Sequence, residues 1–453
     1  MRQAYHVQGA LLVRKVNHSR ADELEVINLL LARHPLIGEL ARQDLLRGGA
    51  SPSLGASGMS GEQAVRALVL KQMTGLSFRA LSEALADSLS FQRFYGLGLG
   101  DTPPSKSTLQ ENVAKLRAET LEQINRVLVR HAQEAGLEDG QKVRGDCTVV
   151  RANVHHPTDS SLLADAVRVL VAEMKKARKA KLRIGFTNHR RCAKRRALAI
   201  ANVRGKEKRK AHYRELLRVT EVTIRYAVRA LELLRAMAAV ADTLTSDLQR
   251  VADRLAHFIP LALAVVDQAR RRVIDGQSVP AADKVVSLFE HHTDIIRKDN
   301  RETYYGHKLY LTVGKSSLVL DAVVEKGNPA DAGMVKRAIE RLVEICGRAP
   351  KQAAFDGAFA SKANVQLAKE LGVVDICFAK RRGIAVSDMV RSTWIYKQLR
   401  RFRAGVEGCI SFLKRAFGLG RCDRRGFDHF KAYVWSSVVS SNLLIIARKA
   451  LGP

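Results

Sequence analysis

The chain has 453 residues, of which 46% are hydrophobic, and its 76 Lys and Arg against 45 Asp and Glu give a formal net charge of +31. That length suggests two or three domains with a real core, and the charge lies far outside ordinary solubility needs, which points to a polyanion, nucleic acid first. The six cysteines form no CxxC and no His spacing completes a zinc site, so they read as reduced thiols of a cytoplasmic protein.

In chain order, residues 1–60 form an opening segment and linker. Met1 to His18 is mixed polar, with no signal-peptide pattern. One apolar segment, LEVINLLLARHPLIGELA, precedes the Gly/Ser-rich GGASPSLGASGMSG. Residues 61–135 read as an all-α domain of short helices. Thr74–Gly75 ends one helix, and Ser77 caps the next, which carries Leu81, Leu85 and Leu89. Pro103 and Pro104 precede a capped helix whose Lys106, Thr108 and Gln110 are candidate DNA contacts. Short helices with tight turns suit a helix-turn-helix DNA-binding domain.

At KVRGDCTVVRANVHHP the period changes to two, which predicts a strand over Val143–Val150 carrying Asp146. A long helical insertion follows at about 160–270, inside a catalytic domain spanning 140–450. Within it, Lys175 to Arg218 holds eighteen Lys and Arg and two acids, Glu207 and Glu215. A charge run of one sign favours phosphate contact over a merely solvated face, and Lys175, Lys176, Arg178 and Lys179 are candidate backbone contacts. Strand signals return at GHKLYLTVGKSSLVLDAVV, a hairpin turning at Gly314–Lys315–Ser316. A helix over PADAGMVKRAIERLVEIC, a short strand ending at Asp356 and Gly357, a helix at about 360–371 and a strand in VVDICF complete the alternation. AYVWSSVVSSNLLIIA near the end is interrupted by four serines and an asparagine and is short for a membrane span, so it reads as a buried helix.

The stretch RFRAGVEGCISFLKRAFGLGRC, residues 401–422, predicts a helix with an apolar stripe through Phe402, Val406, Cys409, Ile410, Leu413 and Phe417. Arg403, Glu407 and Lys414 share an adjacent polar stripe. Arg403 and Glu407 at i,i+4 form an ordinary helical ion pair if nothing else approaches them. Asp146 on a central strand, Asp356 at the end of a neighbouring strand and Glu407 on a helix packed against them give the layout of an RNase-H-like mixed sheet. Three carboxylates make an oxygen-rich site for Mg²⁺, with Mn²⁺ as a substitute. Two such ions, about 3.5–4 Å apart, activate a water or a 3′-hydroxyl for in-line attack at phosphorus.

Here the sequence resembles the bacterial insertion-sequence transposases of the DDE class, over most of its length. GDCTVVRANVHHPTDSSLL is similar to their first-Asp segment and FDGAFAS to their second. Arg403, Glu407 and Lys414 match R-x3-E-x6-K, and LSFRALSEALADSLSFQRFYGL with PSKSTL is similar to their helical DNA-binding portion. The resemblance implies catalytic and metal-ligating roles for Asp146, Asp356 and Glu407, with Arg403 and Lys414 holding the DNA backbone. It also implies terminal inverted repeats and target DNA as partners, and a homodimer or higher oligomer on DNA, with no membrane partner. The family's Tyr three residues before the Arg is Arg400 here, and Tyr396 takes no role from the resemblance. A non-catalytic DNA-binding relative and an Mg²⁺-dependent nuclease without strand transfer are the alternatives. Asp159, Asp165, Asp321, Asp331, Asp375, His155, His156 and His307 are read as structural or ordinary polar residues.

Overall fold

The computed structural model describes residues 18–47, 58–98, 100–241, 245–298 and 302–452. The polar opening segment and most of the Gly/Ser-rich linker lie outside them. The chain forms two compact units, Met1–Arg151 with His307–Pro453, and Ala152–Gly306.

The first unit opens with helices. The apolar segment expected as one piece is two helices, α1 (Ser19–Arg33) and α2 (Pro35–Leu46), because Pro35 has no N–H to continue α1 and instead starts α2. A Ser60–Gln63 capping box starts α3 (Gly61–Thr74), and Gly75 ends it at φ 68°. A Cβ on Gly61 would overlap the Gly38 carbonyl, so this glycine lets α2 and α3 cross at backbone contact. Ser77 caps α4 (Phe78–Asp87), which buries Leu81 and Leu85. Leu89 is not on that helix. Ser88 caps a separate helix, α5 (Leu89–Tyr95), and leaves Leu89 exposed. Ser105 caps α6 (Lys106–Lys115), and α7 (Ala118–Glu134) follows. The helical N-terminal region is therefore as the sequence predicts.

The strands are β1 (Lys142–Arg151), β2 (Asp294–Lys298), β3 (Glu302–Gly314), β4 (Val319–Val324), β5 (Gln352–Phe355) and β6 (Asp375–Phe378). In the first unit the order is β4-β3-β1-β5-β6, with β3 and β4 an antiparallel hairpin and β5 parallel to both neighbours. The fold is mixed α/β with a mixed sheet. Every residue of β6 and three of the four in β5 are buried, as parallel strands covered on both faces require. Helices α12 (Met334–Cys346) and α13 (Lys362–Glu370) alternate with these strands. The short α14 (Val386–Met389) leads into α15 (Thr393–Ala416), which packs on β1, β5 and β6.

The C-terminal α16 (Phe427–Leu451) is long and apolar enough to cross a membrane, yet 89% of its most apolar window is buried against the rest of the unit. Its polar interruptions have partners. Asn442 bonds both Val319 backbone groups, at 2.9 and 2.8 Å, and Asn125 of α7 at 2.7 Å, while Ser437 donates to the Phe417 carbonyl at 3.0 Å.

The second unit holds the insertion as α8 (Asp159–Lys179), α9 (Arg190–Asn202), α10 (Lys206–Ala241) and α11 (Ser246–Ala269). Leu163, Leu170, Leu216, Ala227, Leu255 and Ala262 are fully buried between them. β2 pairs antiparallel with the start of β3, from Asp294↔Gly306 to Lys298↔Glu302. The sequence reading placed neither β2 nor the start of β3 before Gly306. DIIRK is five residues with charged ends and carries too little alternation to stand out from a loop.

Candidate active site

β1 and β5 pair in parallel with Gly145 opposite Phe355, so Asp146 and Asp356 are the next residues along two adjacent strands. α15 brings Glu407 to the same place. The three acids meet on one guanidinium. Arg403 Nη2 donates to Asp146 Oδ2 at 2.8 Å and stands 3.6 Å from Asp356 Oδ1, while Nη1 donates to Glu407 Oε1 at 3.0 Å. The i,i+4 ion pair predicted from the helix exists, but as one arm of a four-residue cluster. The side chains of Asp146 and Arg403 are 15% exposed, Asp356 39% and Glu407 67%, so the cluster opens to solvent on the Glu407 side.

Three formal carboxylate charges against one guanidinium leave the cluster electronegative, and every acidic donor is an oxygen. Among the described residues no group of three or more His, Cys, Asp or Glu stands at metal-holding spacing, and Arg403 bridges the three acids. Carboxylate oxygens are the donor type that a hard divalent cation takes. Asp146 is held from the other side by the Cys147 N–H, which donates to Oδ1 at 2.8 Å. Cys147 itself is no nucleophile: burial first, then the nearby Asp331 carboxylate, pushes its thiol far above the usual range.

Sequence reasoning missed three residues that set this geometry. Arg144, buried two residues before Asp146, donates Nη1 to the Phe402 carbonyl at 2.9 Å. Its Nη2 donates to Ser317 Oγ at 3.1 Å and Cys409 Sγ at 3.3 Å, and the guanidinium stacks 4.7 Å from the Phe402 ring centre. It thereby clamps α15 to β1 in the turn that carries Arg403. Gly405 makes the approach possible, since a Cβ there would overlap Arg144 Nη1. The period-two alternation, which puts Lys142, Arg144 and Asp146 on one face of β1, was the available signal for Arg144. Gly145 has a related role. A Cβ on it would strike the Tyr310 hydroxyl and the Phe355 ring.

Lys414 is half-buried two turns beyond Glu407 on the same face of α15. Tyr396 is structural: it donates its hydroxyl to the Phe378 carbonyl at 3.0 Å and ties α15 to β6. The remaining acids have structural partners. Asp321 is buried against Arg341 and Asp375 against Arg391 at 2.9 Å, Asp331 pairs with Lys308 at 2.8 Å, and Asp165 pairs with Arg168 at 2.7 Å. Asp159 bonds Gln268 at 2.8 Å and Arg272 at 2.9 Å. His307 is buried between the Phe427 and Phe430 rings, and His156 packs edge-on to Tyr305. All six cysteines are free.

The sequence-derived DNA contacts fall in two places. Lys106 and Gln110, on the first turns of α6, line a cavity of about 840 Å³ in the first unit, while Thr108 bonds the Ser105 hydroxyl at 2.9 Å. In the second unit, Lys175, Lys176, Arg178 and Lys179 are all exposed on α8, as are sixteen of the eighteen cations from Lys175 to Arg218. Two of the four have local partners: Lys176 pairs with the buried Glu173 at 3.0 Å, and Arg178 stacks 4.3 Å from the Phe186 ring centre.

Two family descriptions match the chain. Residues 18–115 match a transposase domain (DUF772), and residues 267–443 match a transposase DDE domain. The second contains Asp356, Arg403, Glu407 and Lys414, while Asp146 and the basic insertion lie outside both. No curated protein and no solved structure matches the chain. A helical transposase domain followed by a DDE domain, with two of the three clustered acids inside the matched segment, places this chain among the insertion-sequence transposases of the DDE class.

Proposed function

We propose that this transposase binds the terminal inverted repeats of a mobile element and catalyses Mg²⁺-dependent DNA strand cleavage and strand transfer, with Asp146, Asp356 and Glu407 as metal ligands. The observation that carries this reading is the convergence of the three acids, from two strands and a helix, on Arg403, which lies 257 residues along the chain from Asp146. An RNase-H-like catalytic domain over 140–450 is supported by the strand order, with a central strand carrying the first acid beside a parallel strand ending at the second. Residues 61–135 would read the element ends, and the oligomer would form on DNA in the bacterial cytoplasm, at the nucleoid.

Bound divalent ions would supply a polarised water or 3′-hydroxyl and stabilise the departing oxygen. This chain's own residues do the rest. Arg403 holds the carboxylates together, and a DNA phosphate offers the same guanidinium a partner of matching bidentate geometry. Transfer of Arg403 from the acids to a phosphate would free the ligands as substrate arrives. Lys414, two turns along the same face, would offset charge on the next phosphates.

The test is a strand-transfer assay with a precleaved 3′-OH end in Mg²⁺. Asp146→Ala, Asp356→Ala and Glu407→Ala should each abolish cleavage and joining while end binding persists, because the ligands act where charge develops at phosphorus. Near wild-type cleavage by any one of them would remove that residue from the site. Cleavage without joining by the wild type would leave a nuclease.

A further inference from the structure

A second cationic site lies in the first unit, outside the acid cluster. The cavity of about 840 Å³ is walled by the end of α3, the start of α4, the exposed face of α6 and the segment before α16. Lys71, Arg79, Lys106, Arg424, Arg425 and His429 line it, against a single acid, Asp423. Asp423 is half exposed and pairs with Lys71 at 3.0 Å. α4 also opens its N-terminus here through Ser77, Phe78 and Arg79, where the first-turn N–H groups favour an anion.

Arg424 adds an independent observation. It stacks on the Tyr433 ring at 5.8 Å, and its Nη2 donates to Ser436 Oγ at 3.3 Å. Its Nη1 is buried with no hydrogen-bond partner. Burial pulls its pKa below the usual arginine value, and the neighbouring Asp423 carboxylate offsets this only in part. A buried charged donor left without an acceptor is costly, and at the wall of a cavity a bound water or anion can supply the acceptor.

We infer that this cavity is a phosphate site that grips the backbone of duplex DNA, joining the transposase helices to the segment preceding α16. The inference rests on the DNA-processing function proposed above. The residues at its rim are exposed cations, which contact backbone rather than base edges, so the grip is independent of sequence. Asp423 acts against it twice, by repelling the phosphate and by occupying Lys71.

The experiment measures affinity for a random-sequence duplex against salt, by fluorescence anisotropy on the full chain. Arg79→Gln, Lys106→Gln and Arg425→Gln together should flatten the slope by about two to three units, at about 0.9 per phosphate lost. Asp423→Asn should tighten binding by about two- to fivefold, a gain that misfolding cannot produce. An unchanged slope in the triple variant, or no gain in Asp423→Asn, overturns the proposal. Inorganic phosphate titrated by calorimetry separates the sources. Phosphate binding with the duplex slope untouched would make this a free-anion site and overturn the DNA assignment. Cleavage of terminal-repeat DNA by the wild type, run in parallel, reports on the underlying function. Retained cleavage with an unflattened slope sinks the cavity proposal alone, whereas a wild type that neither binds nor cleaves duplex sinks both.

Discussion

Arg403 shows what one residue can be asked to do. The family resemblance implies a phosphate contact for it, and its position casts it as the cation that three carboxylates share. The two roles are compatible if they alternate. A charge at this distance is worth about 4 kcal/mol even at an effective dielectric near 20, so Arg403 must compete strongly with any metal. Arg403→Gln should therefore bind Mn²⁺ about tenfold tighter in DNA-free protein, measured by electron paramagnetic resonance or calorimetry, although cleavage falls with the lost phosphate contact. Unchanged or weaker Mn²⁺ binding would mean that Arg403 gathers the ligands rather than displacing the metal. Gly405 carries a second prediction at this scale. Arg144 is buried and held by three hydrogen bonds, so it cannot yield to a new methyl group. Gly405→Ala should cost about 1–3 kcal/mol in denaturant melts, and Arg144→Ala in the same chain should recover part of that cost. Additive losses would show that the two residues do not meet.

At the scale of elements, the helix caps were legible and the breaks between helices were less so. Ser77 caps where the sequence places a start, and Ser105 caps the helix expected after Pro104, because a short polar side chain before an apolar run has few other uses, while the Ser60 cap was not read from the sequence. The break at His34–Pro35 has its own consequence. His34 Nε2 and His131 Nδ1 of α7 share a hydrogen bond at 3.0 Å, which needs at least one neutral ring. Burial pulls both pKa values below the ordinary 6.5, and for His131 the neighbouring His34 adds to the effect. The unfolded chain therefore binds more protons than the native one just below 6.5, so this contribution is complete above that value and is lost as the pH falls through it. Melting temperature should drop between about pH 7.5 and about pH 5.5, and His34→Gln with His131→Gln should reduce that drop. An equal drop in the double variant would assign the acid sensitivity elsewhere.

At the scale of the whole molecule, the excess charge is divided unevenly. Lys175 to Arg218 alone accounts for sixteen of the net thirty-one charges, and in the second unit these cations face outward from an apolar four-helix core. Neutralising Lys175, Lys176, Arg178 and Lys179 should flatten the salt dependence of duplex binding. Lys176 and Arg178 are already engaged by Glu173 and Phe186, so a loss of about two phosphate contacts is expected, near 1.8 units of slope. Specific and random duplexes should weaken alike. An unchanged slope with an altered mass in light scattering would give these helices to a protein partner instead.

The sequence by itself determined most element types, the Ser77 cap, the buried reading of the last helix and the order of the three acids. These rest on local period and residue chemistry, which act within a few turns of chain. The helix of residues 401–422 and the strand of Asp146 could each be drawn before any contact was known. Only the tertiary structure decided that Arg403 stands among the acids, that Arg144 and Gly405 bring α15 onto β1, and that Arg424 has a buried Nη1 beside a cationic cavity. Each depends on residues that are remote in the chain and meet through sheet register and helix packing. A side chain's charge is written in the sequence, but its partner is chosen by whichever distant surface comes to lie against it.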